Sequence, residues 1–147
     1  MSSPAAQIHV LNGPNLNLLG MREPGVYGAD TLDDITARVA ALGEQLGLAV
    51  TCRQSNHEGD LVDWLHLAQA EGARAVLLNA GAYTHTSVAL HDAIRAIKVP
   101  VIEVHLSNPL LREEFRHKSL IGMAAKGTVS GFGANSYVVA LHAAALL

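Results

Sequence analysis

The chain has 147 residues, a formal net charge of −3, and a composition that is 50% hydrophobic but only 4% aromatic. That length corresponds to about one domain, and its core is large enough to fold without disulfides or a structural metal. The charges are spread without a basic run, which argues against a nucleic-acid surface. No apolar stretch is long enough to predict a membrane-spanning helix.

The single cysteine and the first residues indicate a reducing compartment. Cys52 has no second cysteine with which to form an internal disulfide, as is usual in the cytoplasm. Residues 1–7 lack the charged and apolar pattern of a secretory signal. We therefore expect a cytoplasmic protein whose residues 1–147 form one domain.

Apolar runs of strand length alternate along the chain with stretches of helical periodicity. The runs predict strands at residues 8–11, 49–53, 75–78, 101–104 and 127–130. The intervening pattern predicts helices at residues 35–46, 60–71, 87–97, 108–115 and 135–147. Thr31 and Asp34 have the spacing of a capping box before the first helix. The alternation predicts an α/β fold in which helices cover both faces of a five-stranded parallel sheet.

Polar residues follow four of the predicted strands. They are Asn12 and Asn15, then residues 54–58, then residues 79–85, and finally Glu103, His105 and Ser107. A single asparagine at such a position often only caps a turn. Because the carboxyl ends of parallel strands meet at one edge of a sheet, the four groups together indicate a binding site.

Glu103 and His105 are two residues apart on an extended backbone, so their side chains point to the same side. A lone histidine near an apolar strand is often only a satisfied core residue. A carboxylate beside the imidazole changes that interpretation, because it fixes the tautomer and raises the pKa, as an acid–base catalyst requires. The arginines Arg112 and Arg116 follow within eleven residues of His105.

Residues 12–30 form the longest predicted irregular stretch, and a loop of that length is usually functional or mobile. It contains Arg22 and Tyr27. Taken alone, the two residues are most simply interpreted as exposed residues of a surface loop. Over a polar strand edge, Tyr27 becomes a candidate base, since a neighbouring cation favours the phenolate.

Other site types lack their motifs. No metal-ligand spacing is present among the eight histidines, and the glycine patterns of phosphate and dinucleotide loops are missing. The nucleophile elbow of serine hydrolases is missing too.

Five segments of the chain together resemble the type II 3-dehydroquinate dehydratases. They are residues 12–15 (NGPN), 20–28 (GMREPGVYG), 54–59 (QSNHEG), 78–90 (LNAGAYTHTSVAL) and 103–108 (EVHLSN). The resemblance implies a flavodoxin-like fold and a dodecamer of four trimers. It also implies reversible anti elimination of water from 3-dehydroquinate to 3-dehydroshikimate through an enolate, with no metal and no cofactor. The reaction belongs to the shikimate pathway or to quinate breakdown.

The resemblance implies a role for each catalytic residue. Tyr27 would be the base, and Arg22 and Arg112 would favour its phenolate. Asn15 would hold the polar contact that stabilises the enolate. The acid would be His105, which would protonate the leaving hydroxyl.

Further roles follow from the same resemblance. Glu103 would orient His105, and Asp92 would act across a trimer contact. Substrate-binding residues would be Asn79, His85, Leu106, Ser107, Arg116 and Asp92.

Three other hypotheses remain open from the residues. A Schiff-base route to the same product would need a buried lysine, and the sequence offers no clear candidate. A non-catalytic flavodoxin-like module would bind FMN or a protein partner. A scaffold whose main role is oligomerisation is the third.

Overall fold

The chain is described here by a computed structural model that covers residues 4–21 and 23–147, with the backbone alone at residues 24 and 27. Its five strands are all parallel: β1 Ala6–Asn12, β2 Leu48–Gln54, β3 Ala75–Asn79, β4 Val101–His105 and β5 Gly127–Ser130. The helices are α1 Pro24–Tyr27, α2 Leu32–Leu46, α3 Glu58–Ala70, α4 Val88–Ala96 and α5 Asn135–Ala145. Within the described residues, no helix has the length and hydropathy needed to cross a bilayer.

The helices cover both faces of the sheet, and each face has its own core. One core joins β1 and β3 to α2 and α5, with Val39 and Tyr137 fully buried. The other joins the sheet to α3 and α4, with Leu61 and Leu90 fully buried. The central strands β3 and β4 are buried along their whole length because both faces of the sheet are covered. The predicted three-layer α/β fold is thus confirmed.

The order of strands across the sheet is β2-β1-β3-β4-β5, which is the flavodoxin-like order. From β1 the chain first adds β2 on one side and then returns to place β3 on the other side. The order in which strands are added therefore switches between β1 and β3, and the crevice typical of this topology lies outside the carboxyl ends of these two strands. In folds of this type ligands bind at that crevice.

The helix predicted at residues 108–115 is wrong. The segment forms two short 3-10 turns, Pro109–Leu111 and Glu114–Arg116, with Arg112 extended between them. The Asn108 side chain accepts a hydrogen bond from the Leu110 amide and starts the first turn. Leu110 and Leu111 are exposed, so no apolar face holds the segment in a longer helix.

Residues 12–30 are not wholly irregular either. A 3-10 turn spans Leu16–Leu18, and α1 forms a single helical turn at Pro24–Tyr27. Leu16 and Leu19 are buried against the first core, which fixes the start of the segment over the sheet edge.

Candidate active site

Polar residues predicted at three of the four strand ends converge on one cleft at the carboxyl edge of the sheet, whereas residues 54–58 after β2 do not line it. Residues from the ends of β1, β3 and β4 line it together with two arginines of the following segment. The lining includes Asn15, Asn79, His85, His105, Leu106, Ser107, Arg112 and Arg116. The cleft therefore lies beside the crevice between β1 and β3, where the topology predicts a ligand.

Glu103 and His105 form a buried pair at the end of β4. The distance between His105 Nε2 and Glu103 Oε2 is 2.7 Å. Glu103 is 2% exposed and His105 is 9% exposed. Because Nε2 is taken by the carboxylate, the other ring nitrogen of His105, Nδ1, is left for a bound substrate. An imidazole oriented in this way is suited to transfer a proton.

The electrostatic surroundings of Glu103 favour its charged form. Burial raises the pKa of Glu103, but the hydrogen bond and charge of His105 and hydrogen bonds from Ser119 and Thr128 outweigh that cost. The pKa of Glu103 is therefore below its ordinary value, and the carboxylate is ionised at neutral pH. The charged carboxylate therefore keeps Nε2 of His105 engaged.

The arginines give the cleft its positive charge. Arg112 Nη1 donates a hydrogen bond of 3.3 Å to Ser107 Oγ. Arg116 Nε donates to Glu113 Oε2 at 2.7 Å, and Glu113 itself does not line the cleft. Both guanidinium groups are half-buried, so they are screened less than surface cations. Such groups suit a substrate that carries a carboxylate.

A fully buried hydrogen-bond network orients Asn79. Asn79 Nδ2 donates to Tyr137 Oη at 2.9 Å, and Tyr137 in turn donates to Asn12 Oδ1 at 2.6 Å. Asn79 Oδ1 accepts from the Gly81 amide at 3.2 Å. Burial raises the pKa of Tyr137 far above its ordinary value, so Tyr137 holds the network as a neutral phenol and cannot be a base.

The remaining cleft residues are held by backbone contacts. Asn15 has a left-handed backbone (φ 69°), which asparagine tolerates well, and its amide donates to Asn56 Oδ1 at 3.0 Å. Nδ1 of His85 is 2.8 Å from the carbonyl oxygen of Lys118. Each side chain is therefore presented by a fixed local structure.

Four of the predicted site residues are not among those that the structure places on this cleft. Glu103 does not line it but contacts His105, which does. Asp92 is exposed on α4 and is not among the residues that line it. Arg22 lies outside the described residues, and so does the side chain of Tyr27, whose backbone ends α1. The roles implied for these residues stay predictions.

Tyr137, Ser119 and Thr128 touch the site but were not predicted from the sequence. Tyr137 lies 58 residues after its partner Asn79, and Ser119 and Thr128 lie 16 and 25 residues after Glu103. Contacts at such separations depend on strand register and on the docking of a helix. The sequence offered one signal, since Thr128 lies in a predicted strand and was therefore expected to be part of the sheet.

The model of the family described as dehydroquinase class II matches residues 6–145. The chain belongs to the class II dehydroquinases. Among curated members, the 3-dehydroquinate dehydratase of Rhizobium johnstonii is 65% identical over 136 residues, which are 92% of this chain and 93% of that protein. The 3-dehydroquinate dehydratase of Caulobacter vibrioides is 57% identical over 137 residues, 93% of each chain.

Solved structures of class II dehydroquinases share the whole fold. The type II dehydroquinase of Propionibacterium acnes superposes with a TM-score of 0.94 at 42% identity, and the match covers 99% of this chain and 100% of that one. The type II dehydroquinase of Butyrivibrio crossotus gives a TM-score of 0.94 at 37% identity, with 97% and 99% covered. The sequence resemblance to this family is thus confirmed along the length of the chain.

Proposed function

We propose that the chain is a 3-dehydroquinate dehydratase, a hydro-lyase that removes water from 3-dehydroquinate to give 3-dehydroshikimate in the shikimate pathway. Membership of the class II dehydroquinases and the names of close relatives support this function. The structural observation that carries it is His105, which lines the cleft together with two arginines and lies 2.7 Å from the buried Glu103 carboxylate. The comparisons give no support to a non-catalytic binding module.

The chemistry of the reaction needs groups of the kind that line this cleft. The proton to be removed lies next to a ketone, so a base must take it and the resulting enolate must be stabilised. The leaving hydroxyl needs an acid, because hydroxide is a poor leaving group. The carboxylate of the substrate needs a cationic or amide-rich pocket. No step calls for a redox group or an electron sink beyond the ketone.

We assign the acid to His105. In its protonated form the imidazole donates from Nε2 to the Glu103 carboxylate and offers the Nδ1 proton to the leaving hydroxyl. The carbon–oxygen bond then breaks, the enolate electrons form the new double bond, and water is released. Glu103 keeps the ring oriented and its positive charge balanced.

We assign the base to Tyr27. A free tyrosine has a pKa of about 10, so only about 0.1% is ionised at pH 7. Lowering that pKa by about three units requires roughly 4 kcal/mol of differential interaction, an amount that desolvated arginines can supply. Arg22 and Arg112 are the arginines proposed for this purpose. Tyr27 would take the proton from carbon, and Asn15 would stabilise the oxygen of the enolate.

The other cleft residues are proposed to bind the substrate. Asn79, Ser107 and the backbone amides of Leu106 and Ser107 would hold the carboxylate and nearby hydroxyls. His85 and Arg116 would contact the ring hydroxyls. The fixed orientation of Asn79 by Tyr137 supports this assignment, because a pre-oriented amide loses little freedom on binding.

We also propose that residues 1–147 act as one dehydroquinase domain in the cytoplasm and assemble as a dodecamer of four trimers. The lone cysteine agrees with a reducing compartment. Exposed apolar side chains agree with subunit contacts. Three of them are close in sequence, namely Leu110, Leu111 and Phe115, with 66%, 83% and 66% of their surfaces exposed.

The direct test is the ultraviolet absorbance of purified protein mixed with 3-dehydroquinate, because the product is a conjugated enone. A rise that needs only protein and substrate supports the proposal. A folded protein that gives no rise would instead favour the binding module, and bound flavin would then show as visible absorbance. Borohydride added with the substrate tests the Schiff-base route, since a trapped covalent adduct would refute the mechanism based on Tyr27.

Tyr27→Phe tests the base. Removing the phenol oxygen leaves the ring in place but takes away the proton acceptor, so we expect kcat to fall by about 10² to 10⁴. The thermal midpoint of unfolding should change little, and circular dichroism at increasing temperature provides that control. Turnover near that of the wild type would refute the assignment.

A further inference from the structure

Glu103 accepts hydrogen bonds from two hydroxyl groups in addition to His105. Ser119 Oγ lies 2.5 Å from Oε2, the oxygen that also contacts His105. Thr128 Oγ1 lies 2.9 Å from the other oxygen, Oε1. The carboxylate is 2% exposed, and a buried charge without such donors is costly. The hydrogen bonds that this carboxylate makes with His105, Ser119 and Thr128 thus all come from side chains, which substitution can remove one at a time.

The contact from Ser119 has a fixed direction. Ser119 Oγ accepts a hydrogen bond of 2.8 Å from the Gly122 amide, so the hydroxyl hydrogen is free to point at Glu103. The turn also packs directly on the carboxylate, since a Cβ at Gly122 would lie 2.8 Å from Glu103 Oε1. The segment before β5 therefore holds the Ser119 hydroxyl in place as a hydrogen-bond donor to the buried Glu103 carboxylate.

The contact from Thr128 is set by the sheet. Glu103 and Thr128 are register partners on the adjacent parallel strands β4 and β5, so their side chains leave the sheet on the same side. The Thr128 hydroxyl belongs to the edge strand β5, whereas the Ser119 hydroxyl belongs to a loop. The two hydroxyls therefore reach the two carboxylate oxygens from independent parts of the fold.

We propose that Ser119 and Thr128 are positioning residues for the dehydratase reaction, which hold the Glu103 carboxylate ionised and aimed at Nε2 of His105. The inference rests on the proposed function and adds residues to its acid side. Neither residue lines the cleft beside Arg112, and both contact the Glu103–His105 pair through the Glu103 carboxylate.

Several titratable or charged side chains surround Glu103, and removing the two hydroxyls leaves all of these side chains in the chain. His105 contacts Glu103 directly, and His85, Arg116 and His117 line a second cavity together with Glu103, Ser119 and Thr128. A carboxylate that loses donors becomes more basic and attracts the imidazolium proton more strongly. Loss of either hydroxyl therefore raises the pH at which His105 loses its proton.

The test compares variants that remove and keep each hydroxyl. Ser119→Ala with Thr128→Val removes both, and we expect kcat to fall about tenfold, with KM within about twofold of the wild type. Nuclear magnetic resonance of the imidazole should show the titration of His105 moved upward by about half a pH unit. Ser119→Thr and Thr128→Ser keep a donor and should restore wild-type behaviour. An unchanged His105 titration in the double variant would overturn the proposal.

Glu103→Gln supplies the control for a merely structural effect. An amide cannot carry the charge, so removing the hydroxyls in that background should change kcat by less than about twofold. An equal loss in both backgrounds would mean that the hydroxyls only support the fold and would refute the positioning role. The His105 titration is read without turnover, so it decides the role even if the wild type proves inactive. Inactivity itself would count against the proposed function.

Discussion

At the scale of single residues, His9 is an unusual group in the middle of a core strand. It is 1% exposed on β1, and its Nε2 is 3.1 Å from Glu71 Oε2. Burial lowers the pKa of His9, with attraction from Glu71 opposing and repulsion from Arg53 adding to that effect. His9 Nδ1 has no hydrogen-bond partner among the described residues. The folded chain thus holds this imidazole neutral near pH 7.

We expect His9 to make the folded state less stable at acidic pH. The unfolded chain binds a proton at His9 with a pKa of about 6.5, whereas the folded chain binds it only at lower pH. The contribution of neutral His9 to the free energy of unfolding is therefore complete above about pH 6.5. It is lost as the pH falls toward the pKa of His9 in the folded chain. Thermal midpoints of wild type and His9→Gln should differ most near pH 7 and approach each other near pH 5. A constant difference across that range would contradict the account.

Residue-scale contacts also show why part of the site could be predicted. Glu103 and His105 are neighbours on one strand, so the two-residue period of a strand was enough to pair them. Tyr137, on α5, is hydrogen-bonded to both Asn12 and Asn79, and no local sequence pattern predicts that contact. The pairing of Arg112 with Ser107 depends on the two 3-10 turns, which the sequence suggested as a helix.

At the scale of elements, the ends of β1 and β3 approach each other more closely than side chains allow. The Gly13 amide donates to the Asn79 carbonyl at 2.8 Å. A Cβ at Gly13 would lie 2.5 Å from the carbonyl oxygen of Ala80, which is backbone and cannot turn away. Glycine at this position lets the two loops that carry Asn15 and Asn79 leave the sheet side by side.

Gly13→Ala should therefore damage the site and the fold together. The added methyl must push the two strand ends apart, and we expect a loss of about 1–3 kcal/mol in the free energy of unfolding together with a raised KM. Gly59→Ala is the matched control, because a Cβ there meets nothing within 4 Å and Gly59 lies in helix α3. Denaturant unfolding and steady-state kinetics of both variants provide the measurement. Equal stability of the two variants would argue against the close approach.

Element boundaries were largely predictable where the pattern was strong. The predicted strands lie inside the observed ones, such as residues 8–11 within Ala6–Asn12. The capping box of Thr31 is present, with hydrogen bonds of 3.0 and 3.1 Å to Asp34, and Gly47 ends α2 in a left-handed conformation. The short turns at 109–116 were missed because Arg112 interrupts them with an extended backbone that periodicity does not reveal.

At the scale of the whole molecule, the alternation of strands and helices predicted a parallel sheet but not the order of its strands. The order arises because the chain reverses direction across the sheet after β2, and several orders satisfy the same pattern. The family resemblance supplied the flavodoxin-like order in advance. The observed order explains why residues from β1, β3 and β4 share one cleft.

Asp92 tests the proposed trimer. It is exposed on α4 and does not line the cleft of its own chain, so it can act on substrate only if a second copy brings it there. We expect Asp92→Ala to raise KM several-fold or to weaken the trimer, because the proposed subunit contact would lose a charged group. Kinetics and sedimentation velocity measure the two effects. A variant with wild-type KM and assembly would remove Asp92 from the interface.

The initial rate of enone formation from 3-dehydroquinate, measured for the wild type and for His105→Ala, tests both the activity and the role of His105 as the acid. The wild type should convert the substrate without added metal or cofactor. The variant should remain folded but lose about 10² to 10⁴ in kcat, because the proton donor for the leaving hydroxyl is gone. A folded wild type without product, or a His105→Ala rate close to the wild-type rate, would contradict the account.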